Sequence, residues 1–346
     1  MAKIKRLNSS DIRKIQEMVE YIQPGISPNI FSEENFVLFP IDMLHSLLPS
    51  NLKFLQESYV AKENRNLLGL ISLIPEGRSK TRWKINRLVL NINAYEVGKQ
   101  LIDYVVNKYG GSGVETFITT INENYHEAID LFKNACGFRS CTQVHIWENE
   151  NPEIKDFKNI PQLRNFKPSD SKLLQELEEQ CIFPHFRPSL CRSVSDFNFG
   201  LKNRLLDFFK GYSVKRWVLD NPSQNSIEGY TVIMSMDGMS YWIDIMLSLA
   251  YQEYYEDLLN YACKFAKSIN PNAKIYVNLR KYYQSNKKLN EVLINQNFQQ
   301  TCSFQVLVKD YWKVTPVDEG KKSPIIIFPD ITSPACNITR INKIDT

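Results

Sequence analysis

The sequence lacks the features that would mark a membrane or secreted protein. No run among its 346 residues approaches the roughly 18 apolar residues that cross a membrane. The apolar segment from Ile325 to Phe328 is far too short to span a membrane. The opening stretch MAKIKRLNSSDIRKIQ has no apolar centre of the kind found in secretory signals. We therefore expect neither a membrane span nor a secretion signal.

Cysteine and histidine are few and irregularly spaced. There are seven cysteines, an odd number, without a Cys-x-x-Cys pair, and four histidines without a His-Glu-x-x-His motif. This argues against the common zinc signatures and against a disulfide framework. The pattern favours small buried thiols in a reducing cytoplasm, and it predicts no metal site.

A strong charge of either sign is also missing. The formal net charge is +4 and the isoelectric point is about 8.5, which is below the basic footprint of nucleic-acid-binding domains. Hydrophobic residues make up 43% and charged residues 23%, so the chain can fill ordinary globular cores. Its length suits two domains. We predict a two-domain protein that binds neither nucleic acid nor membrane.

The sequence does contain an internal repeat. The segment from Ile4 to Asp11 matches the segment from Leu163 to Asp170, which lies 159 residues later. Each is a short strand followed by Ser-Asp, residue types that cap the first turn of a helix. Trp83 and Trp242 keep the same spacing within alternating segments that are typical of strands.

The remainder of each half follows one plan. A helical pattern precedes a strand rich in β-branched residues: Val97 to Val106 then Phe117 to Ile121, and Tyr254 to Phe265 then Ile275 to Leu279. A further helix and a final strand close each half. The polar segment 149–161 contains two prolines and predicts a linker. The predicted domains are therefore 1–150 and 163–315, with a linker at 151–162 and a tail at 316–346.

The end of the first half resembles the GCN5-related N-acetyltransferase (GNAT) family. The closing helix of that family carries an Asn, an Ala-Ile pair, an aromatic residue and a terminal Gly-Phe. Here they are matched by Asn124, Ala128-Ile129, Phe132 and Gly137-Phe138. The resemblance covers about residues 4–147 and 163–312. It implies an α/β fold of two tandem GNAT-like domains, each a mixed sheet with a splayed strand pair flanked by helices.

The resemblance also implies a cosubstrate, which is acetyl-CoA or another acyl-CoA. In the family, main-chain amides at a helix N-terminus hold the pyrophosphate, since unpaired N–H groups and the helix dipole favour an anion there. The main chain of the fourth strand binds the pantetheine arm. The implied cofactor-binding residues are Leu88, Val89, Leu90, Val97, Gly98, Lys99 and Asn124.

The pyrophosphate loop departs from the family pattern in both halves. In the first half Glu96 stands where the family has its first Gly, and Asn93 replaces a basic residue or Gln. The corresponding stretch of the second half, Ala250 to Tyr255, has no glycine at all. A carboxylate or a bulky side chain disfavours a phosphate cradle. If either half binds acyl-CoA, we expect it to be the first.

Three residues are candidates for acid–base catalysis. Asp244, between apolar neighbours on the predicted fourth strand of the second half, can act as a base. Asn86 takes the corresponding place in the first half and cannot. Phe132 occupies the position where the family often has a Tyr that acts as the general acid. Tyr125 and Tyr282 are therefore the alternative candidates for that role. A solvated carboxylate and ordinary helix tyrosines would explain the same three residues.

A covalent route through Cys136, with His145 near it in sequence, is a further alternative. The favoured function is a GNAT-type N-acyltransferase whose acceptor is a small-molecule or peptide amine. The main alternative is a non-catalytic tandem GNAT-like protein that binds or assembles a protein partner. In a third interpretation, one half binds the cosubstrate and the other half forms a wall of the acceptor pocket.

Overall fold

The structure is a computed structural model that describes residues 2–8, 11, 14–15, 57–64, 66–76, 81–91, 95–153, 160, 162–199 and 213–311. The predicted tail at 316–346 and most of the predicted linker lie outside these residues. Within them, no helix has the length and apolar character needed to cross a membrane.

The described strands and helices follow the predicted order, although several are longer than predicted, and most of the helix predicted after Asp11 lies outside the described residues. The described strands are β1 Lys3–Arg6, β2 Glu57–Glu63, β3 Asn66–Pro75, β4 Arg82–Leu90, β5 Thr116–Asn122, β6 Arg139–Asn149, β7 Leu163–Asn165, β8 Ser213–Asn221, β9 Ser226–Ser235, β10 Ser240–Leu247, β11 Lys274–Arg280 and β12 Gln299–Asp310. The described α-helices are α1 Tyr95–Gly110, α2 His126–Asp130, α3 Ser171–Cys181, α4 Arg187–Leu190, α5 Tyr255–Ile269 and α6 Asn286–Asn295. Helix α2 continues as a π-helical turn, Leu131–Ala135. We call β1 to β6 the first half and β7 to β12 the second half.

The described strands form one continuous sheet, in which the mixed sheets predicted for the two halves are joined. The order is β1-β2-β3-β4-β5-β12-β6-β11-β10-β9-β8-β7. The last strand of each half is therefore exchanged: β12 pairs with β5 of the first half, and β6 pairs with β11 of the second. The exchanged strands also pair with each other, with Val144 opposite Phe304. The halves thus share main-chain hydrogen bonds across their junction.

Each half nevertheless has its own core beneath its own helix. In the first half α1 places Leu101, Ile102 and Val105 against the sheet, and in the second half α5 places Leu258 and Leu259 there. Both helices show the spacing of an amphipathic helix with one apolar face. A further core on the opposite face of the sheet packs under α3 and combines residues of both halves.

The first block of the repeat is confirmed in its residue-by-residue alignment. Ile4 pairs with Ala61 of β2, and Leu163 pairs with Leu219 of β8 in the same relation. Asp170 accepts a 2.7 Å hydrogen bond from the main-chain N–H three residues earlier, which closes the turn before α3. That N-terminal role is the one expected of Asp at this position.

The alignment of Trp83 with Trp242 is wrong by one residue. Trp83 lies opposite Phe117 in the parallel pair β4–β5, whereas Tyr241 holds that position in β10, opposite Ile275. Trp242 points to the other face, where its ring stacks on Tyr276 at 4.3 Å. Because side chains alternate along a strand, a slip of one residue exchanges the two faces.

Candidate functional site

Each half contains a V-shaped opening between two parallel strands. In the first half β4 and β5 pair only from Arg82 to Ile85. β4 then continues to Leu90 beside β3, while β5 continues beside β12. In the second half β10 and β11 pair only from Ser240 to Ile243. An opening of this kind leaves main-chain groups on one edge of a strand outside the sheet ladder. We call these the first-half and second-half openings.

The apex of the first-half opening carries a β-bulge. Thr119 Oγ1 donates a 3.1 Å hydrogen bond to the carbonyl of Ile85, at the last paired position. The pairing of β4 with β3 then skips Asn86, which is the extra residue. Bulges bend a strand and change the direction of its side chains. The corresponding stretch of β10 pairs with β9 without such a break, so the structural counterpart of Asp244 is Arg87 and not Asn86.

Helix α1 begins close to the end of β4 because residue 98 is glycine. A Cβ added to Gly98 would lie 2.7 Å from Leu90 Cδ1 and 2.8 Å from Leu131 Cδ2. Both distances are shorter than any ordinary carbon–carbon contact. The glycine therefore allows the first turn of α1, which starts at Tyr95, to pack directly against the strand end and the π-helical turn.

The predicted cofactor-binding residues lie on the elements that border this opening, including the turn after β5 that holds Asn124. Leu88 and Val89 are buried in β4 and Leu90 is half-buried, while Val97 and Lys99 are half-buried on either side of buried Gly98. Asn124 is exposed in the turn before α2. Its main-chain N–H donates to Asn122 Oδ1 at 3.0 Å. The structure thus brings together the strand end and the helix start.

Helix α2 contacts the start of α1. The Tyr95 hydroxyl donates a 2.9 Å hydrogen bond to Asp130 Oδ2, and this bond raises the pKa of Tyr95. Tyr125 is half-buried at the start of α2 and packs against the first-half core. Of the three candidate catalytic residues, Tyr125 is the one that belongs to the first half.

The second-half opening is filled by side chains of the protein itself. The carbonyl of Leu247, at the end of β10, accepts hydrogen bonds from Cys181 Sγ at 3.1 Å and from Ser285 Oγ at 3.2 Å. The Tyr255 and Ser285 hydroxyls are 2.7 Å apart. Main-chain groups of this type would face a ligand in an open cleft. Here internal donors satisfy the strand end.

Tyr255 is the structural counterpart of Gly98. Six of the seven buried positions of α1 (Gly98, Leu101, Ile102, Val105, Val106, Tyr109) coincide with six of the seven of α5 (Tyr255, Leu258, Leu259, Ala262, Cys263, Ala266) when the helices are offset by 157 residues. The Tyr255 ring is 1% exposed, and this burial raises its pKa well above the ordinary value. A bare Cα in the first half therefore corresponds to a buried ring in the second.

Asp244 and Tyr282 lie together, joined by Arg280. The Arg280 guanidinium donates two hydrogen bonds to the Asp244 carboxylate, one of them 3.1 Å from Nε to Oδ1. It donates a third, of 2.5 Å, to the Tyr282 hydroxyl. Burial raises the pKa of Tyr282. Because both carboxylate oxygens of Asp244 accept from Arg280, the arrangement resembles a structural clamp between β10 and the end of β11.

Arg280 and a second buried ion pair were not predicted. Glu178 on α3 is 1% exposed and accepts from Arg192 Nε at 2.7 Å and from the Arg192 main-chain N–H at 2.7 Å. The sequence shows that the positively charged Arg280 directly follows the predicted strand Ile275 to Leu279. Its partner Asp244, however, lies 36 residues away. Single-residue patterns cannot identify such a pair.

Burial disfavours the thiolate form of the cysteines that flank the Gly137-Phe138 turn. Burial raises the pKa of Cys136 to about 12 and also raises that of Cys141. Burial lowers the pKa of His145, which lies on β6. Because the thiolate is the reactive form of cysteine, a protonated Cys136 does not favour the covalent alternative.

The fold of this chain is similar to the folds of solved structures. A tandem GNAT protein from the clavulanic acid biosynthesis pathway, without AcCoA, has a TM-score of 0.59 over 91% of this chain and 100% of its own, at 11% identity. A GCN5-related N-acetyltransferase from Sphaerobacter thermophilus has a TM-score of 0.60 over 90% of this chain and 96% of its own, at 10% identity. No family model matches the sequence, and no curated protein does.

The chain therefore has a GNAT fold in tandem: a mixed sheet flanked by helices, with a splayed parallel strand pair in each half. The similarity to those two proteins covers about 90% of the chain and establishes this fold. What the openings do depends on their own residues, because one fold supports many functions.

Proposed function

We propose that the protein is an N-acyltransferase that binds acetyl-CoA or a longer acyl-CoA in the first-half opening and transfers the acyl group to an amine. The observation that carries the proposal is the contrast between the openings. The first has a glycine at its helix start, and the second is filled by Tyr255, Ser285 and Cys181.

The first half has both elements that such a cosubstrate needs. The strand end from Leu88 to Leu90 diverges from β5 and offers main-chain groups to the amides of a pantetheine arm. The first turn of α1 offers N–H groups and a helix dipole to a pyrophosphate. Gly98 brings the two elements together. Val97 and Lys99, one on each side of it, complete the proposed site.

Catalysis in this arrangement is mainly a matter of position. The amine nitrogen attacks the thioester carbonyl carbon; a C–N bond forms and the C–S bond breaks. The thiolate leaves with the electron pair and takes up a proton, and the amine loses one. Holding the two groups in contact replaces a bimolecular encounter and supplies much of the rate enhancement. Tyr125 is our candidate proton donor, and the catalytic roles of Asp244 and Tyr282 remain predictions.

The second candidate function is a non-catalytic tandem GNAT-like protein that binds a partner. Glu96 favours it, since this exposed carboxylate lies in the first turn of α1, where a phosphate would bind. Negative charge at a helix N-terminus stabilises the helix and repels an anionic ligand. The two functions differ in a simple way, because only the acyltransferase requires affinity for an acyl thioester.

Isothermal titration with acetyl-CoA, and then with longer acyl-CoAs, tests the proposal. We expect saturable binding at one site per chain, and we expect Gly98→Ala to weaken it. Tyr255→Phe is the matched control, because it changes the counterpart residue in the second half and should leave the affinity unchanged. Absence of binding by every acyl-CoA would favour the non-catalytic alternative.

A further inference from the structure

On the sheet face opposite α1 and α5, the second half covers β4 of the first half. The Arg82 guanidinium donates a hydrogen bond to the carbonyl of Cys191 and lies 3.8 Å from Asp196 Oδ2. It also pairs with Glu76 at 2.6 Å. Cys191 and Asp196 belong to the segment that follows α4. This segment therefore forms a wall beside the start of β4, at the end where β4 and β5 are paired.

Lys84 lies on this same face of β4. Side chains alternate along a strand, and Trp83 and Ile85 point into the first-half core, so Lys84 and Arg82 point the other way. Lys84 is half-buried and makes no hydrogen bond or ion pair with any residue in the described part of the chain. Burial lowers the pKa of its ammonium group. Glu76 opposes that effect, and the nearby charge of Arg280 adds to it.

The neighbouring cations, in contrast, have acidic partners. Arg280 is paired with Asp244, and Arg192 is paired with Glu178 at 2.6 Å. Unlike Arg280 and Arg192, the half-buried Lys84 forms no ion pair with a carboxylate in the described part of the chain. The Glu76 carboxylate that acts on Lys84 is shared with Arg82, so the charge of Lys84 is only partly compensated away from water, and an anionic ligand would relieve that cost.

Lys84 also lies close to the apex of the first-half opening, where we propose that the reaction takes place. It is adjacent to Ile85, the last paired residue at the apex, and one alternation, about 7 Å, from the bulged residue Asn86. A small molecule that reached Lys84 with an anionic group would have its other end beside the opening. The wall around Cys191 would close the far side.

We propose that the acceptor is an amine that also carries a carboxylate, as a free amino acid does, and that Lys84 binds this carboxylate on the face of β4 where the second half contacts the first. This assignment rests on the proposed N-acyltransferase function and adds the substrate class to it. The first half would bind the cosubstrate, and the second half would wall the acceptor site.

Binding of N-acetyl amino acids, the products such a reaction would give, tests the assignment without requiring turnover. A panel of N-acetyl amino acids is compared with the corresponding N-acetyl amino-acid amides by isothermal titration. We expect at least one acid to bind at least tenfold more tightly than its amide, because only the acid carries the charge that Lys84 would hold. Lys84→Met should abolish this preference and leave acetyl-CoA affinity unchanged. Lys281→Met is the matched control, since this lysine lies near His145 and outside the proposed site, and it should keep the preference.

Two results would overturn the assignment: no acid in the panel binds more tightly than its amide, or the preference survives in Lys84→Met. Failure of the proposed function is separately visible, because the wild-type protein would then not bind acetyl-CoA at all. If acetyl-CoA binds and the amides are preferred, the acyltransferase proposal stands and the carboxylate assignment is wrong.

Discussion

The two halves have the same strand-and-helix plan but treat the same opening in opposite ways. In the first half a glycine lets the start of α1 approach the end of β4. In the second half Tyr255 occupies the corresponding position, and the Leu247 carbonyl is satisfied by Cys181 and Ser285. Splaying of two parallel strands is therefore not enough to define a ligand site. The decisive feature is whether the protein's own side chains satisfy the exposed strand end.

The opposite face of the sheet shows the same contrast. In the second half the buried charges are paired, Asp244 with Arg280 and Glu178 with Arg192. In the first half Lys84 has no such partner among the described residues. We expect the filled opening and the paired charges of the second half to contribute to stability, and the first-half opening and Lys84 to serve in binding. This comparison leads to four expectations, from the largest effect to the smallest.

Tyr255→Gly should be the most damaging of these substitutions. It removes a fully buried ring and leaves a cavity beside Leu247, so the free energy of unfolding should fall by about 3–5 kcal/mol. Tyr255→Phe, which loses only the hydrogen bond to Ser285, should cost about 1 kcal/mol. Urea denaturation measures both. A loss below about 1 kcal/mol for Tyr255→Gly would show that the second-half opening is not filled as described.

Asp244→Asn should lower stability and leave acetyl-CoA affinity unchanged. The substitution removes the carboxylate that accepts two bonds from Arg280, with an expected cost of roughly 1–3 kcal/mol. Denaturation and steady-state kinetics together separate the two roles of this residue. A large fall in kcat without loss of stability would instead identify Asp244 as a catalytic base and move the active centre to the second half.

Gly98→Ala should impair the first half. Leu90 and Leu131 must shift to admit a methyl group, at a cost of about 1–3 kcal/mol. The displaced helix start should weaken acetyl-CoA binding by tenfold or more. Affinity equal to that of the wild type would contradict the role assigned to this glycine, and thermal melting would show whether the fold had simply adapted.

Glu96→Gln should have the smallest effect of the four substitutions, and it should strengthen acetyl-CoA binding. Removing an exposed carboxylate from the first turn of α1 should tighten acetyl-CoA binding by a few-fold, and the gain should shrink as salt is added. Titration at low and high ionic strength measures the difference. Weaker binding in this variant would mean that Glu96 makes a favourable contact with the ligand.

Much of the fold could be predicted because it follows from local patterns. Alternation and helical spacing marked most elements, and the matching segments around Asp11 and Asp170 revealed the repeat. The exchange of β6 and β12 could not be predicted. The two strands are equivalent by the repeat, so the sequence offers no reason for either to prefer its own half. The alignment of Trp83 failed for a separate reason. Its counterpart Tyr241 lies 158 residues later, whereas Ile4 and Leu163 are 159 residues apart, so the halves differ by one residue before β4, and a slip of one residue reverses the faces of a strand.

The candidate site was predicted in part. Gly98 and the strand end at Leu88 to Leu90 were identified through the family resemblance, and the absence of glycine from the second loop was visible in the sequence. The sequence did not reveal that Ser285 bonds to the Tyr255 hydroxyl, or that Arg280 takes both oxygens of Asp244. These contacts join residues 30 and 36 positions apart. They depend on the packed structure and not on any local pattern.

Hydrogen–deuterium exchange with and without acetyl-CoA tests the central claim most directly, because it reports on both halves in one experiment. The account predicts slower exchange on binding in the end of β4 and the start of α1, residues 86–102. It predicts no change in the counterpart segment, residues 244–259. Protection of the second segment, or of both equally, would contradict the claim that the first half alone keeps an open site.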